Sequence, residues 1–432
     1  MNMTRKMAVL ALLTFVLVVE RANSADGSKV AAADPQPTKM DAKNPLAGLP
    51  SAPGAHIEKI KALGDGQWLH LGAPAPDPKW GKATGRSWCP HMPYAPELKA
   101  AFYSGGGRHE FIKPNGLDES DYWAYDVNAN RWVCLFPGAD PKTLTLKLDA
   151  NGFEVDADGQ PIPLAQLCHA YEQDVYDTDR RKFMFMPTIV TNAWTERRKL
   201  WDGKFGPGAG NVSPWMYNVA AGKFELLKVK GAAPDYTYSN IAEYIPSLKK
   251  MVYLQSKGIA WLYDPQANTW TNLKPTGPKP PFGIDASACL DLKRERIYFG
   301  GGYYDVTPAG ANAFWCYDVK TNSYMDLQPK GKLCGGNNRF GPDTTIMNYD
   351  SANDAVVMFN HHWGEDTPPG NRGIFIYDPV ANSWSEAPLP KDIKDHCSSF
   401  YSAELNAHFI HTAGDSTDNG TMWVYRYKQA KK

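Results

Sequence analysis

No charge of one sign dominates this chain: 46 Lys+Arg stand against 46 Asp+Glu in 432 residues. A basic excess would mark a nucleic-acid protein, so nucleic acid is not an expected partner. The local signatures of several enzyme classes are also missing. There is no His-Glu-x-x-His, no Cys-x-x-Cys and no Gly-x-Ser-x-Gly,. Gly206 to Gly210 lacks the Lys-Ser/Thr of a nucleotide loop,. Asp156 to Gly159 resembles part of a calcium loop, but Leu167 stands where the bidentate acid belongs,. Cysteine is sparse, at 7 residues, too few for a disulfide scaffold. The count is odd, so at least one thiol is expected to be free, metal-bound or paired with another chain. A Cys89–Cys397 bridge is one candidate pair.

Long apolar runs are missing too. The longest, Met7–Val19, is 13 residues and too short to span a bilayer,. Arg5 and Lys6 precede it, and Ala22-Asn23-Ser24 offers small residues for cleavage. This pattern reads as a signal peptide over 1–24. It implies a secreted or periplasmic chain with no membrane span after cleavage. Residues 25–64 are rich in Ala, Pro, Lys and Asp at their start and read as a linker, with a helical turn or two over His56–Leu63,.

Glycine and proline, by contrast, are plentiful at 37 and 34. They favour short strands and many turns. One pattern recurs: Tyr125-Asp126…Asn130-Arg131-Trp132, Tyr217-Asn218…Gly222-Lys223-Phe224, Tyr263-Asp264…Asn268-Thr269-Trp270, Tyr317-Asp318…Asn322-Ser323-Tyr324 and Tyr377-Asp378…Asn382-Ser383-Trp384. The two aromatics are seven residues apart each time. The Asn or Gly supplies the left-handed backbone of a hairpin turn. Apolar strands precede each hairpin, so the unit has four strands. Such units stack as propeller blades and close into a ring.

The spacing predicts an all-β, six-bladed propeller over 65–432, with a seven-bladed alternative. The alternative rests on Thr143–Gly159, which is read here as an inserted hairpin around Asn151-Gly152. The last unit ends at Met422–Tyr425 without its trailing aromatic, while Gly66–Leu71 matches a fourth strand with no preceding three. The N-terminal strand is therefore expected to complete the last blade.

Glycine pairs after the second strand, as in Gly105–Gly107 and Gly300–Gly302, followed by Tyr-Asp-Pro and a Trp seven residues after the Tyr, resemble Kelch repeats. The resemblance runs from about Asp65 to the C-terminus and extends to the galactose-oxidase-like propellers. It implies the fold and leaves the function open.

Candidate site residues gather where the innermost strands begin. Cys89-Pro90-His91, Cys168-His169 and His396-Cys397 enter units one, two and six, neighbours around the ring. His91, His169 and His396 are candidate metal ligands for copper, zinc or manganese, or acid–base groups, with Arg108 beside them. Candidate ligand-binding residues are His109, Arg339, His361, His362 and Trp363. Trp194, Arg197, Arg198 and Trp201 lie in one long loop, and Tyr303 and Tyr304 in an equivalent one. Trp stacks on sugar rings and Arg pairs with carboxylates. The expected function is a ligand-binding module for a glycan or a partner protein. The alternative is a carbohydrate-active lyase, oxidase or epimerase with a His-rich channel mouth.

Overall fold

A computed structural model describes residues 40–86, 88–104, 113, 115–118, 120–140, 142–163, 169–186, 213–234, 240–280, 286–300, 314–331, 345–360, 372–393, 397–412 and 420–430. Strands recur because the apolar positions alternate and Asn, Asp and Gly punctuate them. They form six four-stranded antiparallel sheets in a ring, a six-bladed β-propeller.

The strands of each blade are lettered a to d from the channel outward. Blade 1 is Tyr94–Ala95, Ala100–Tyr103, Tyr122–Asp126 and Arg131–Phe136. Blade 2 is Asp174–Asp177, Lys182–Phe185, Trp215–Asn218 and Lys223–Leu226. Blade 3 is Ile241–Ile245, Lys250–Gln255, Ile259–Asp264 and Thr269–Asn272. Blade 4 is Ser287–Asp291, Arg296–Gly300, Phe314–Asp318 and Ser323–Asp326. Blade 5 is Thr345–Asp350, Ala355–Asn360, Gly373–Asp378 and Ser383–Ala387. Blade 6 takes a, b and c from Cys397–Ser402, Ala407–Thr412 and Thr421–Arg426, and its d strand is Gln67–Gly72. The N-terminal strand thus closes the ring, pairing Gln67 with Arg426 and Leu69 with Val424. The long interval holds a small separate hairpin, Lys147–Leu148 with Glu154–Val155, and among the described residues no seventh blade.

The c–d hairpins show why the Tyr–Asn pair repeats. Asn130, Asn268, Asn322 and Asn382 are left-handed, with φ between 47° and 54°. Each accepts a hydrogen bond from its Tyr hydroxyl, at 2.7–2.9 Å. The side-chain amides of Asn268, Asn322 and Asn382 each donate to a carbonyl after strand d of the preceding blade, on Lys228, Leu273 and Leu327. Asn130 does the same to Leu71 in the closing strand. One residue type therefore makes the turn and stitches the blades.

Blade 2 departs from this scheme. Gly222 replaces the Asn, with φ 65°, and an added Cβ would lie 2.7 Å from the Asn44 side chain. Asn44 donates instead to the carbonyls of Val219 and Ala220. The second part of the expected linker is accordingly docked, with its hydrogen bonds to blade 2 made by Asn44. Leu46 is fully buried, and Asn128 donates to the Ser51 carbonyl. The helix Ala55–Lys61 buries Ile57 and Ile60. Arg426 donates to the carbonyls of Ile60, Lys61, Leu63 and Leu405. Apolar residues in the second half of the segment and a partner glycine far along the chain account for the difference.

A second girdle surrounds the channel at the turn end. Tyr94 donates to Glu404 of blade 6, Tyr176 to Glu97 of blade 1, and Tyr244 to Asp179 of blade 2 at 2.6 Å. Tyr401 donates to Asp350 of blade 5. Blade 4 has Leu290 at this position, and Arg294 there pairs with Asp354 of blade 5.

Candidate functional site

Strand a runs from the loop end of the ring to the turn end, so residues just before it sit at the loop-end mouth. His91 precedes strand a of blade 1 and bridges to Ser399 of blade 6. Its side chain is 24% exposed. His169 precedes strand a of blade 2 and is buried. The expectation that units one, two and six adjoin here holds. His396, Arg108, His109, Trp194, Arg197, Arg198, Trp201, Tyr303, Tyr304, Arg339, His361, His362 and Trp363 lie outside the described residues.

Two large aromatics frame His169. The Trp88 ring centre lies 4.3 Å from the His169 ring, and Tyr171 meets it edge-on at 5.5 Å. The Tyr171 N–H donates to the Trp88 carbonyl at 2.7 Å. Both residues are left-handed, with φ of 53° and 50°. That conformation costs a bulky residue about 1–3 kcal/mol. The other left-handed non-glycine residues lie in turns or just beyond strands, most at positions that recur from blade to blade. Trp88 and Tyr171 have no such recurrence.

Glu172 follows directly. Its Oε1 accepts the Ala288 N–H of blade 4 at 3.1 Å, and its Oε2 lies 4.0 Å from His91 Nδ1 of blade 1. One side chain from blade 2 thus reaches across the channel. Burial pushes its carboxyl well above the usual range, opposed by the Ala288 bond. Burial also lowers His91 to about 4. Burial thus disfavours the charged form of both partners, and an imidazole beside a carboxyl is a pair suited to proton exchange.

A buried polar network braces the mouth. Arg86 pairs with Asp121 at 2.8 Å, and Lys113 lies 3.5 Å from the same carboxylate. Trp123 Nε1 donates to it as well. Arg86 Nε donates to the Ser104 carbonyl, and Ser104 Oγ donates to Asp174 at 2.8 Å. Desolvation pushes Asp174 up to about 8, against that hydrogen bond. Cys89 is a buried thiol, 3.8 Å from Ser104 Oγ. The Cys89–Cys397 bridge is not formed; Ser398 instead donates to the Cys89 carbonyl. Among the described residues no three His, Cys, Asp or Glu side chains converge as metal ligands.

Residue-type reading missed Glu172, Asp174, Glu243 and Arg86. The signal present was weak: Glu243 is the one charged residue of its strand, Asp174 shares its strand with Asp177, and Glu172 and Arg86 lie outside the strands. Their surroundings arise only when six blades close.

No protein-family model matches the chain, and no curated protein matches it. Its backbone is similar to that of a solved structure described as an oligogalacturonate lyase in complex with manganese. The identity is 10%, over 84% of this chain and 98% of that chain, with a TM-score of 0.41.

Proposed function

We propose that this chain is an exported Kelch-type propeller that binds a glycan at the loop-end mouth of its ring. The supporting observation is the Trp88–His169–Tyr171 group. Two aromatics are held in a costly backbone conformation, and such strain concentrates at ligand sites. Aromatic faces suit sugar rings, and the His91 and Glu172 side chains alongside offer hydrogen-bond partners for hydroxyl groups.

A glycan array probed with residues 25–432 tests this. Wild type is expected to select a restricted set of glycans. Trp88→Gly keeps the left-handed backbone and removes the ring; it is expected to weaken binding at least about tenfold without lowering the melting temperature. Uniform blankness of the array overturns the reading and turns the search toward a protein ligand.

The His91–Glu172 pair favours a second reading, an acid–base carbohydrate enzyme. Cleavage or epimerisation of an acidic or neutral oligosaccharide, abolished in Glu172→Gln, is its expected signature. A copper, zinc or manganese ion on His91, His169 and His396 belongs to this reading and is checked by elemental analysis of the untagged protein.

A further inference from the structure

Toward the turn end the inner strands enclose a cavity of about 300 Å³. That volume is at the small end of the range for small-molecule sites, about 300–1,000 Å³. All six blades line it. His91 forms its inner end, and Val175, Leu290, Met347 and Phe400 supply apolar wall. The tyrosines of the girdle rim it.

The charge on this wall has one sign. Among the described lining residues there is no Lys or Arg, while Glu243 and Glu404 are present. Glu404 is engaged by Tyr94. Glu243 forms no hydrogen bond or ion pair with any described residue. Burial and the neighbouring Asp174 push its carboxyl up to about 8. A half-buried carboxyl on an apolar wall, with no partner among the described residues, is costly to ionise, and an arriving cation lowers that cost,.

We propose that the turn-end cavity binds a small organic ammonium ion, its charge on the Glu243 carboxylate and its carbon body against Val175, Met347 and Phe400. An ammonium donor satisfies the unpaired oxygens, and the aromatic rim favours cations over anions. A neutral alcohol leaves the carboxyl protonated, and a carboxylate brings a negative charge that no positive group among the described lining residues meets. Binding therefore releases a proton from Glu243. The other titratable groups facing it are Glu172, Asp174 and Cys289, with His91 at the inner end.

The test is calorimetric titration of residues 25–432 with butylammonium, butanol and butyrate, in two buffers of different ionisation heat. Butylammonium is expected to bind in the millimolar range with proton release, at least about tenfold more tightly than butanol or butyrate. Glu243→Gln is expected to lose at least about tenfold in affinity. Leu290→Trp fills the cavity without touching the charge and is expected to block binding, so the proposal stays testable if the Glu243 variant fails to fold. Equal binding of butanol, butylammonium binding undiminished in both variants, or no binding of butylammonium overturns it. Trp88→Gly, at the other end of the ring, is expected to leave this titration unchanged, which separates this site from the glycan site.

Discussion

At the turn end, Tyr125, Tyr263, Tyr317 and Tyr377 meet Asn130, Asn268, Asn322 and Asn382 in four blades alike. In the channel, the six inner strands place Pro93, Val175, Glu243, Cys289, Asn348 and Phe400 at one equivalent register position, two residues before the one that pairs with the start of strand b. The same backbone thus carries a repeated residue in one region and six different ones in the other. Each turn faces the same task, to reverse the chain and hold the next blade. The channel positions face a single shared space, so identity there is free to serve a ligand. Repetition in the turns of the ring marks construction, and its breakdown in the channel leaves room for chemistry.

The largest effect expected on this contrast is in a repeated turn. Asn382→Ala removes the partner of the Tyr377 hydroxyl and of the Leu327 carbonyl, and it strains a left-handed position. It is expected to cost about 2–3 kcal/mol, with Asn382→Gly costing less because the backbone strain is absent. Thermal and urea unfolding measure both. A loss below about 0.5 kcal/mol would break the link between repetition and stability.

A smaller effect is expected where the repeat itself fails. Gly222→Asn restores the common residue in blade 2 but collides with Asn44. It is expected to cost about 1–2 kcal/mol. In the double variant with Asn44→Ala the space is vacated, and part of the loss is expected to return. The interaction energy of this double-mutant cycle is the readout.

A separate effect is a pH slope from the unrepeated acids. Glu243 and Asp174 have carboxyls pushed up to about 8, against about 4 in an unfolded chain. The folded state holds protons that the unfolded state has released, so stability falls as pH rises from about 4 to 8. His91, lowered to about 4, acts oppositely, but only below about 6.5. Between pH 6.5 and 8 the melting temperature is therefore expected to fall. Each acid contributes at most about 1.4 kcal/mol per pH unit. Glu243→Gln is expected to flatten this slope, and an unchanged slope contradicts the assignment.

What was legible in the sequence follows the same division. The seven-residue Tyr-to-aromatic spacing disclosed the hairpins because it recurs. Trp68 and its neighbours disclosed the closing strand because they matched a missing fourth strand. Asn151-Gly152 disclosed the inserted hairpin because a left-handed turn needs such residues. His91 and His169 could be placed at strand entries by counting from those repeats. Glu172 could not be singled out, because its reach to Ala288 depends on ring closure rather than on local pattern. The docking of Asn44 and Leu46 was hidden for a similar reason: the glycine that receives them lies in blade 2, and nothing near Asn44 signals it. Trp88 and Tyr171 carry no sign of their left-handed backbone in residue type, since bulky residues rarely adopt it.

The division between building and binding residues is tested most directly by melting and glycan titration of Asn382→Ala beside Trp88→Gly. The account predicts that Asn382→Ala melts lower and, below its transition, binds as wild type does. It predicts that Trp88→Gly melts no lower and binds at least about tenfold more weakly. Trp88→Gly with intact binding and a much lower melting temperature would contradict it, as would Asn382→Ala with lost binding and unchanged melting.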